Sequence, residues 1–247
     1  MDIVYTMPGQ NHRLFINVVH SCPNACLFCV DFKGDAFYGF DLKQGKPPST
    51  EEIVSSVAAY PNKSEVSEIY FCGIGEPLLR YEPVIESARR IRTLLGKETC
   101  IAINTSGTFF GRDPRVDFAK EFDLIQVSLN AENEEKYNQI CRPKIPDAYS
   151  SVMAFLDALR RFLTDTKSSC RVELSVVDTS KIERLPRREQ FRGKLPIPDF
   201  IACQKIADRF GWPLKIKELM PDCEDSGWRD FATQFRAQSV DGRAASL

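Results

Sequence analysis

The cysteine-rich stretch between residues 20 and 30 constrains this chain more than any other. Cys22, Cys26 and Cys29 have the spacing C-x3-C-x2-C. They follow an apolar run, residues 14–19, that predicts a buried strand. Three thiolates on one short loop can hold three corners of a 4Fe–4S cube, which normally takes four cysteine ligands. A cube held in this way keeps one open iron, where a substrate or cofactor can bind.

Three other roles for these cysteines have to be weighed. Buried small hydrophobic residues are one, but Pro23 and Asn24 make this loop a poor core segment. A zinc site with His20 as fourth ligand is another. Structural zinc prefers paired C-x2-C or H-x3-H units, and His12 is the only other histidine. Disulfides are disfavoured because nine cysteines in a chain without a secretion signal indicate a reducing compartment. The spacing therefore favours an iron–sulfur cluster over zinc.

Composition limits the size and the setting of the protein. The chain has 247 residues, of which 43% are hydrophobic and 27% charged, and this suits one domain of the α/β barrel type. A formal net charge of −1 gives no global attraction to nucleic acid or to an acidic membrane. No apolar run approaches the roughly 18 residues that span a bilayer. The first residues lack a basic segment followed by an apolar core, so they are not a signal peptide. We expect a cytoplasmic protein without a membrane segment.

Strands and helices alternate along the chain. Ser49 and Glu52 form a capping box that predicts a helix start, and Gly96 and Gly211 predict helix ends. Six strands alternating with helices imply parallel βαβ units, with the site beyond the carboxyl ends of the strands. The predicted strands are residues 13–19, 68–72, 99–104, 124–129, 172–177 and 214–219.

Polar and glycine-rich segments follow three of these strands. Gly73-Ile74-Gly75-Glu76 follows the second strand and is neither a dinucleotide fingerprint nor a Walker loop. Its two glycines allow close backbone approach, and its carbonyls and carboxylate suit a positively charged amine. Asn104-Thr105-Ser106-Gly107 follows the third strand, and Ser128-Leu129-Asn130 follows the fourth. Turn formation is the alternative role for the first two segments.

The cysteine loop, with the aromatic Phe28 before its last cysteine, resembles the signature of the radical S-adenosylmethionine (SAM) enzymes. In that superfamily the open iron is chelated by the amino and carboxylate groups of SAM. The resemblance therefore implies that Cys22, Cys26 and Cys29 ligate a 4Fe–4S cluster. It also implies that seven residues bind SAM. They are Phe28 at the adenine, Gly73, Gly75 and Glu76 at the amine, Asn104 at the ribose, and Ser128 and Asn130 at the ribose or the carboxylate.

Several segments together resemble one family, the TatD-linked radical SAM proteins. Besides the loops above they are Tyr38-Gly39-Phe40-Asp41-Leu42, Gly111-Arg112-Asp113, Tyr137-Asn138-x-x-Cys141-Arg142-Pro143 and Val176-Val177-Asp178. The resemblance implies a partial (β/α)6 barrel of parallel strands with one cluster and one SAM. It also implies an external electron donor such as flavodoxin or ferredoxin, and an association with a TatD-type hydrolase.

The chemistry of such an enzyme follows from its cofactors. SAM is cleaved reductively to methionine and a 5′-deoxyadenosyl radical, which abstracts a hydrogen atom from the substrate. The substrate stays open between small molecules and nucleotides. Residues 181–194 hold six basic residues against two acidic ones, which suits a lid that attracts an anionic substrate, and a solvated loop is the alternative role of this segment. Two alternatives stay open. One is an activase that generates a glycyl radical on a partner protein, and the other is a non-catalytic iron–sulfur or zinc-binding protein.

The last part of the chain departs from the family pattern. We expect a single core domain over residues 1–220 and an extension, 221–247, that packs on the barrel or is partly disordered. Met220-Pro221-Asp222-Cys223 is similar to a segment of glycyl-radical activating enzymes, where a histidine stands in place of Cys223. Cys141 and Cys223 are predicted at the mouth of the barrel, where a thiol can donate a hydrogen atom. Together with Arg142 they are the candidate catalytic residues, and chemical inertness is the alternative.

Overall fold

The structure is a computed structural model that describes residues 2–29, 37–43, 45–108, 114–180 and 196–218. Four predicted features lie outside these residues. They are the basic segment 181–194, Gly111-Arg112-Asp113, the Met220–Cys223 segment and the extension 221–247.

The chain divides into two compact units. Among the described residues, the first unit contains 2–21, 37–43 and 45–103, and the second contains 22–29, 104–108, 114–180 and 196–218. The predicted single core domain, 1–220, stays a prediction.

The first unit is built on four strands. These are β1 (Val4–Tyr5), β2 (Arg13–Asn17), β3 (Glu68–Cys72) and β4 (Cys100–Thr105). β1 is antiparallel to β2, whereas β2, β3 and β4 are parallel neighbours. Parallel neighbours need crossover connections, and α1 (Thr50–Ala58) and α2 (Tyr81–Leu95) supply them. These two helices pack against each other.

Local sequence signals set the ends of these helices. The Ser49 side chain accepts a hydrogen bond from the Glu52 backbone N–H, and Glu52 accepts one from the Ser49 backbone N–H, so the predicted capping box is confirmed. Gly96 ends α2 with a φ of 84°, a left-handed conformation that favours glycine. Short 3₁₀ turns span Lys63–Glu65 and Pro77–Arg80.

The second unit contains the parallel strands β5 (Leu124–Ser128), β6 (Arg171–Val177) and β7 (Leu214–Lys217). A 3₁₀ turn, Asp117–Glu121, precedes β5. The helices are α3 (Glu134–Cys141), α4 (Ala148–Thr166) and α5 (Phe200–Phe210). None of the helices within the described residues combines the length and the apolar character that crossing a bilayer requires.

The two faces of β5–β7 differ in character because side chains alternate along each strand. Ile125, Val127 and Leu174 are buried on one face, and α5 contacts β6 and β7. The other face is mixed. Besides Leu124 and Val177, it carries polar residues, which are Gln126, Ser128, Arg171, Glu173, Ser175, Lys215 and Lys217.

The six predicted strands are all present, with ends shifted by at most two residues. The short helix predicted after Pro114 is the 3₁₀ turn Asp117–Glu121. Two elements were not predicted. β1 is only two residues long, and α3 has too few apolar positions to show a helical period.

Candidate functional site

The cysteine loop makes a tight turn directly after β2. The Cys29 backbone N–H donates to the Cys26 carbonyl oxygen at 3.0 Å, which brings the second and third cysteines close along the chain. Leu27, between them, is fully buried and anchors the turn. Cys22, Cys26 and Cys29 are each partly exposed. The loop therefore presents three partly exposed cysteines from a fixed turn.

The end of α3 holds this loop in place within the second unit. The backbone N–H of Ala25 donates to the Cys141 carbonyl at 3.0 Å, and that of Leu27 donates to the Ile140 carbonyl at 3.0 Å. On the other side, the Lys144 N–H donates to the Pro23 carbonyl at 2.7 Å. The segment Tyr137–Pro143, quoted above only as a family motif, is thus the support of the cysteine loop.

A small buried network lies beneath the loop. The Asn24 side-chain amide donates to the Tyr137 hydroxyl at 3.1 Å, and the Asn130 amide donates to the Cys141 sulfur at 3.4 Å. Cys141 is fully buried. The Cys26 thiol shares a hydrogen bond with Cys141, and this bond, burial and the charge of Cys141 together raise the pKa of Cys26 well above its usual value. The loop and α3 thus enclose Cys141. Its place at the mouth of the barrel stays a prediction.

The cysteine loop has the donor atoms that a 4Fe–4S cluster requires, although the thiols do not converge. No three histidine, cysteine or acidic side chains among the described residues converge as metal ligands do, and the Cys26 thiol is engaged by Cys141 instead. The donor chemistry fits nonetheless. All eight described cysteines are thiols rather than disulfides, and three of them lie on one short, partly exposed loop. Because ligation requires a thiolate, Cys26 has to release its proton and its bond to Cys141 for a cluster to be held.

The glycine loop, Gly73–Glu76, lies in the first unit and has no room for extra atoms. A Cβ atom on Gly75 would lie 2.2 Å from the Val19 carbonyl oxygen and 2.6 Å from that of Ser21. The Glu76 backbone N–H donates to the same Ser21 oxygen at 2.9 Å. The glycine loop therefore packs on the backbone that leads into Cys22.

The carboxylate of Glu76 is held rather than mobile. It is 2% exposed and accepts a hydrogen bond from the Leu78 backbone N–H at 3.1 Å, where it caps the turn Pro77–Arg80. A buried carboxylate of fixed orientation suits an ammonium group.

Asn17 supports the glycine loop and was not predicted from the sequence. It is fully buried at the end of β2, and its amide donates to the Leu42 carbonyl at 2.8 Å. Its Oδ1 atom has no hydrogen-bond partner and would lie 2.3 Å from a Cβ on Gly73, whose φ is +148°. Glycine is therefore required at position 73, because of this φ and because a Cβ atom would collide with the Asn17 Oδ1 atom. An asparagine ending an apolar strand was the available signal.

The remaining predicted contacts to SAM lie in the second unit. Asn130 follows β5 in a left-handed conformation with φ 58°, and its N–H donates to the Ser175 carbonyl at 3.1 Å. The Oδ1 atoms of Asn130 and Asn104 are buried without a hydrogen-bond partner. Orphaned oxygens of this kind fit a ligand that brings hydroxyl or ammonium donors, as SAM does. Ser128 and Phe28 are partly exposed.

The candidate catalytic residues are not brought together. Arg142 ends α3 in a left-handed conformation with an exposed side chain, whereas Cys141 is buried. Cys223 lies outside the described residues. No catalytic role follows from their positions.

The family profile described as the radical SAM superfamily matches residues 16–170. The chain belongs to the radical SAM superfamily. The matched region includes the cysteine loop, the glycine loop and β5 with Asn130.

Curated relatives carry one name. A dual-specificity RNA methyltransferase RlmN from Halorhodospira halophila is 32% identical over 148 residues, covering 57% of this chain and 38% of the relative. Another, from Wolinella succinogenes, is 25% identical over 179 residues, covering 68% of this chain and 46% of the relative. The chain thus spans less than half the length of either relative.

Solved structures share the fold. One described as TYW1 with a lysine-pyruvate adduct bound has a TM-score of 0.56 at 14% identity, covering 93% of this chain and 73% of the other. One described as native anSMEcpe with bound AdoMet has a TM-score of 0.53 at 16% identity, covering 84% of this chain and 51% of the other. These similarities confirm the α/β fold of the partial-barrel type.

Membership of the superfamily settles the broad chemistry. The chain is a radical SAM enzyme, and its cofactors are a 4Fe–4S cluster and SAM. The individual site residues stay predictions, as does the narrower assignment to the TatD-linked proteins.

Proposed function

We propose that this enzyme cleaves SAM reductively at a cluster held by Cys22, Cys26 and Cys29, and that its substrate is a nucleotide, either free or within RNA. The observation that carries the proposal is the cysteine loop. It places three partly exposed cysteines on one turn, and backbone hydrogen bonds to the end of α3 support that turn. Three thiolates leave one iron of a cube without a protein ligand.

The predicted SAM-binding residues each have a defined role in this proposal. Cys22, Cys26 and Cys29 would hold the cluster, and cluster and SAM together would supply a 5′-deoxyadenosyl radical by one-electron reductive cleavage of SAM, with methionine as the other product. Glu76 holds the ammonium group of SAM through its fixed, buried carboxylate. Asn104 and Asn130 offer their unpartnered Oδ1 atoms to SAM hydroxyl or ammonium groups. Phe28 borders the adenine, and Ser128 lies near the ribose or the carboxylate.

The substrate class rests on the relatives. Those reported above are named as RNA methyltransferases, and nucleotide chemistry agrees with the basic composition of residues 181–194. The alternative of a glycyl-radical activase rests on the similarity of residues 220–223 to a segment of such enzymes, whereas the relatives reported above are named as RNA methyltransferases. The nucleotide substrate is therefore favoured.

Two partners complete the proposal. An external one-electron donor of the flavodoxin or ferredoxin type reduces the cluster. The assignment to the TatD-linked proteins, based on the motifs quoted above, predicts an association with a TatD-type hydrolase. A cytoplasmic location agrees with the need for a reducing compartment.

The test is the formation of 5′-deoxyadenosine, measured by mass spectrometry on anaerobically reconstituted protein with SAM and a strong reductant. We expect product from the wild type and none from Cys26→Ala. Cys203→Ala is a matched control, because Cys203 is a buried thiol on α5 outside the loop. Wild-type protein with a full cluster and bound SAM that forms no 5′-deoxyadenosine, with or without nucleotides, would contradict the proposal. Stoichiometric zinc in place of iron would support the alternative that the cysteine loop binds zinc.

A further inference from the structure

The side chain of Asn17 is unusual for its place in the sheet. Asn17 is the last residue of β2, which is otherwise apolar after Arg13, and it is fully buried. Its Oδ1 atom has no hydrogen-bond partner among the described residues. An acceptor that gives up its water and gains no donor raises the free energy of the folded state. An orphaned oxygen of this kind calls for a partner that the protein itself does not supply.

The orientation of the Asn17 amide is fixed by its nitrogen end. The Nδ2 group donates to the Leu42 carbonyl at 2.8 Å, and reversing the amide would bring two acceptor oxygens together. The backbone N–H of Asn17 donates to the Ile3 carbonyl at 2.8 Å, so the pairing of the strand does not use the side chain. The Oδ1 atom is therefore held in one position with its acceptor capacity unused.

The Leu42 carbonyl belongs to a segment that has had no role so far. This segment is Tyr38-Gly39-Phe40-Asp41-Leu42, quoted above only for its resemblance to a family. Phe40 and Leu42 are buried, and the Phe40 backbone N–H donates to the Phe37 carbonyl at 2.9 Å. The segment is thus a fixed part of the first unit, and through Leu42 it fixes the Asn17 amide.

The Oδ1 atom of Asn17 faces the glycine loop. A Cβ atom on Gly73 would lie 2.3 Å from this oxygen, and Asn17 is paired with Cys72, the residue before the loop. Because Gly73 has no side chain, the oxygen can lie this close to the loop backbone. The last residue of the loop is Glu76, whose carboxylate is also buried. The glycine loop therefore has one buried oxygen against its first residue and another on its last.

We propose that Asn17 is a further SAM-binding residue, whose Oδ1 atom accepts a hydrogen bond from the α-amino group of SAM at the glycine loop. This proposal rests on the proposed function and deepens it, because it adds a neutral acceptor to the Glu76 carboxylate. An amino group brings more than one N–H donor, so it can bond to both oxygens. An amide suits this position better than a second carboxylate, since two buried negative charges against one ammonium group would leave one charge unpaired.

A purely structural role for Asn17 makes a different prediction. In that case only the hydrogen bond to Leu42 matters, and its loss would loosen residues 37–43 and the glycine loop together. The affinity would then fall alike for every ligand of the glycine loop, with or without an amino group.

The test measures the affinity of the reconstituted enzyme for two ligands by anaerobic equilibrium dialysis. One is SAM, and the other is a SAM analogue with hydrogen in place of the α-amino group. Asn17→Leu keeps a branched side chain but has no acceptor. We expect this variant to bind SAM about 10- to 100-fold more weakly, as when a hydrogen bond to a charged group is lost, and to bind the analogue as the wild type does. Asn62→Leu is the matched control, because Asn62 lies in the same unit and its side chain makes no capping hydrogen bond. If the leucine variant fails to fold, Asn17→Ala replaces it.

The outcomes separate this proposal from the proposed function. A loss of affinity confined to SAM supports the contact with the amino group. Unchanged SAM affinity in the Asn17 variant, or an equal loss for the analogue, would overturn the proposal even though the wild type binds SAM and forms 5′-deoxyadenosine. Wild-type enzyme that neither binds SAM nor forms 5′-deoxyadenosine would overturn the proposed function, and this proposal with it.

Discussion

The glycine loop and the cysteine loop both follow a strand, but different forces fix them. Gly73 and Gly75 are required by local geometry, since a Cβ on either would meet atoms at 2.2 to 2.3 Å. The cysteine loop has no such steric requirement. Backbone hydrogen bonds to the end of α3, more than 100 residues away in the chain, hold it. A steric constraint is built into the residue type, whereas a long-range support depends on the rest of the unit.

The largest effect is expected where the steric constraint is tightest. Gly75→Ala places its new methyl group against two backbone carbonyl oxygens that cannot move aside. We expect the free energy of unfolding to fall by about 3 kcal/mol, the upper range for overpacking. Urea denaturation followed by circular dichroism measures it.

Gly9→Ala is the control for this change. Gly9 has a φ of +74°, and no atom lies within 4 Å of the position that an added Cβ would take, so this variant reports backbone strain alone, at about 1 kcal/mol. Equal decreases in the free energy of unfolding of Gly75→Ala and Gly9→Ala would mean that a methyl group at Gly75 meets no more steric hindrance than one in an open turn.

The second effect separates the chemistry of the glycine loop from its packing. Glu76→Gln keeps an oxygen that can accept from the Leu78 N–H but removes the negative charge. We expect SAM to bind about 10- to 100-fold more weakly, because a hydrogen bond to a charged group is replaced by a neutral one. Anaerobic equilibrium dialysis measures the affinity. Glu86→Gln, an exposed glutamate on α2, is the control. An unchanged affinity for SAM would show that the Glu76 carboxylate does not bind SAM.

The third effect tests the long-range support of the cysteine loop. Tyr137→Phe leaves the buried Asn24 amide without its acceptor, at a cost of about 2 kcal/mol in unfolding free energy. We also expect faster loss of iron from the reconstituted protein, measured with a ferrous chelator. Tyr149→Phe removes a comparable bond, from its hydroxyl to the Glu132 carbonyl at 2.7 Å, away from the loop. The same rate of iron loss in both variants would show that the support does not reach the cluster.

The smallest effect concerns the buried neighbour of Cys26. Cys141→Ala removes the hydrogen bond that contributes most to the raised pKa of Cys26. Since a raised pKa keeps the thiol protonated, its fall increases the thiolate fraction at a given pH. Alkylation of Cys26 in apo-protein, followed by peptide mass spectrometry across pH, should begin at lower pH in the variant. Cys203→Ala should leave the profile unchanged. A pH profile of Cys26 alkylation in Cys141→Ala that matches the wild-type profile would show that Cys141 does not raise the pKa of Cys26.

The sequence predicted the parts of this molecule that depend on short spacing. The capping box at Ser49, the helix stop at Gly96 and the order of the strands follow from neighbouring residues and were confirmed. The cysteine spacing led to the superfamily, which the family profile confirmed.

Features that depend on distant pairing could not be read from spacing. The burial of Cys141 was not predicted, and it arises because residues 24–27 fold over the end of α3. Asn17 contacts Gly73 across 56 positions, and the lysines of β7 face Glu173 only because of the strand register. Register and long-range hydrogen bonds arise from the packed unit as a whole.

The most direct test of the three-cysteine cluster site is the electron paramagnetic resonance spectrum of the reduced, reconstituted protein before and after addition of SAM. We predict a 4Fe–4S signal whose g-values change on addition of SAM, because three cysteine ligands leave one iron open to it. Glu76→Gln should need more SAM for the same change. A full 4Fe–4S signal that saturating SAM leaves unaltered would contradict the central claim.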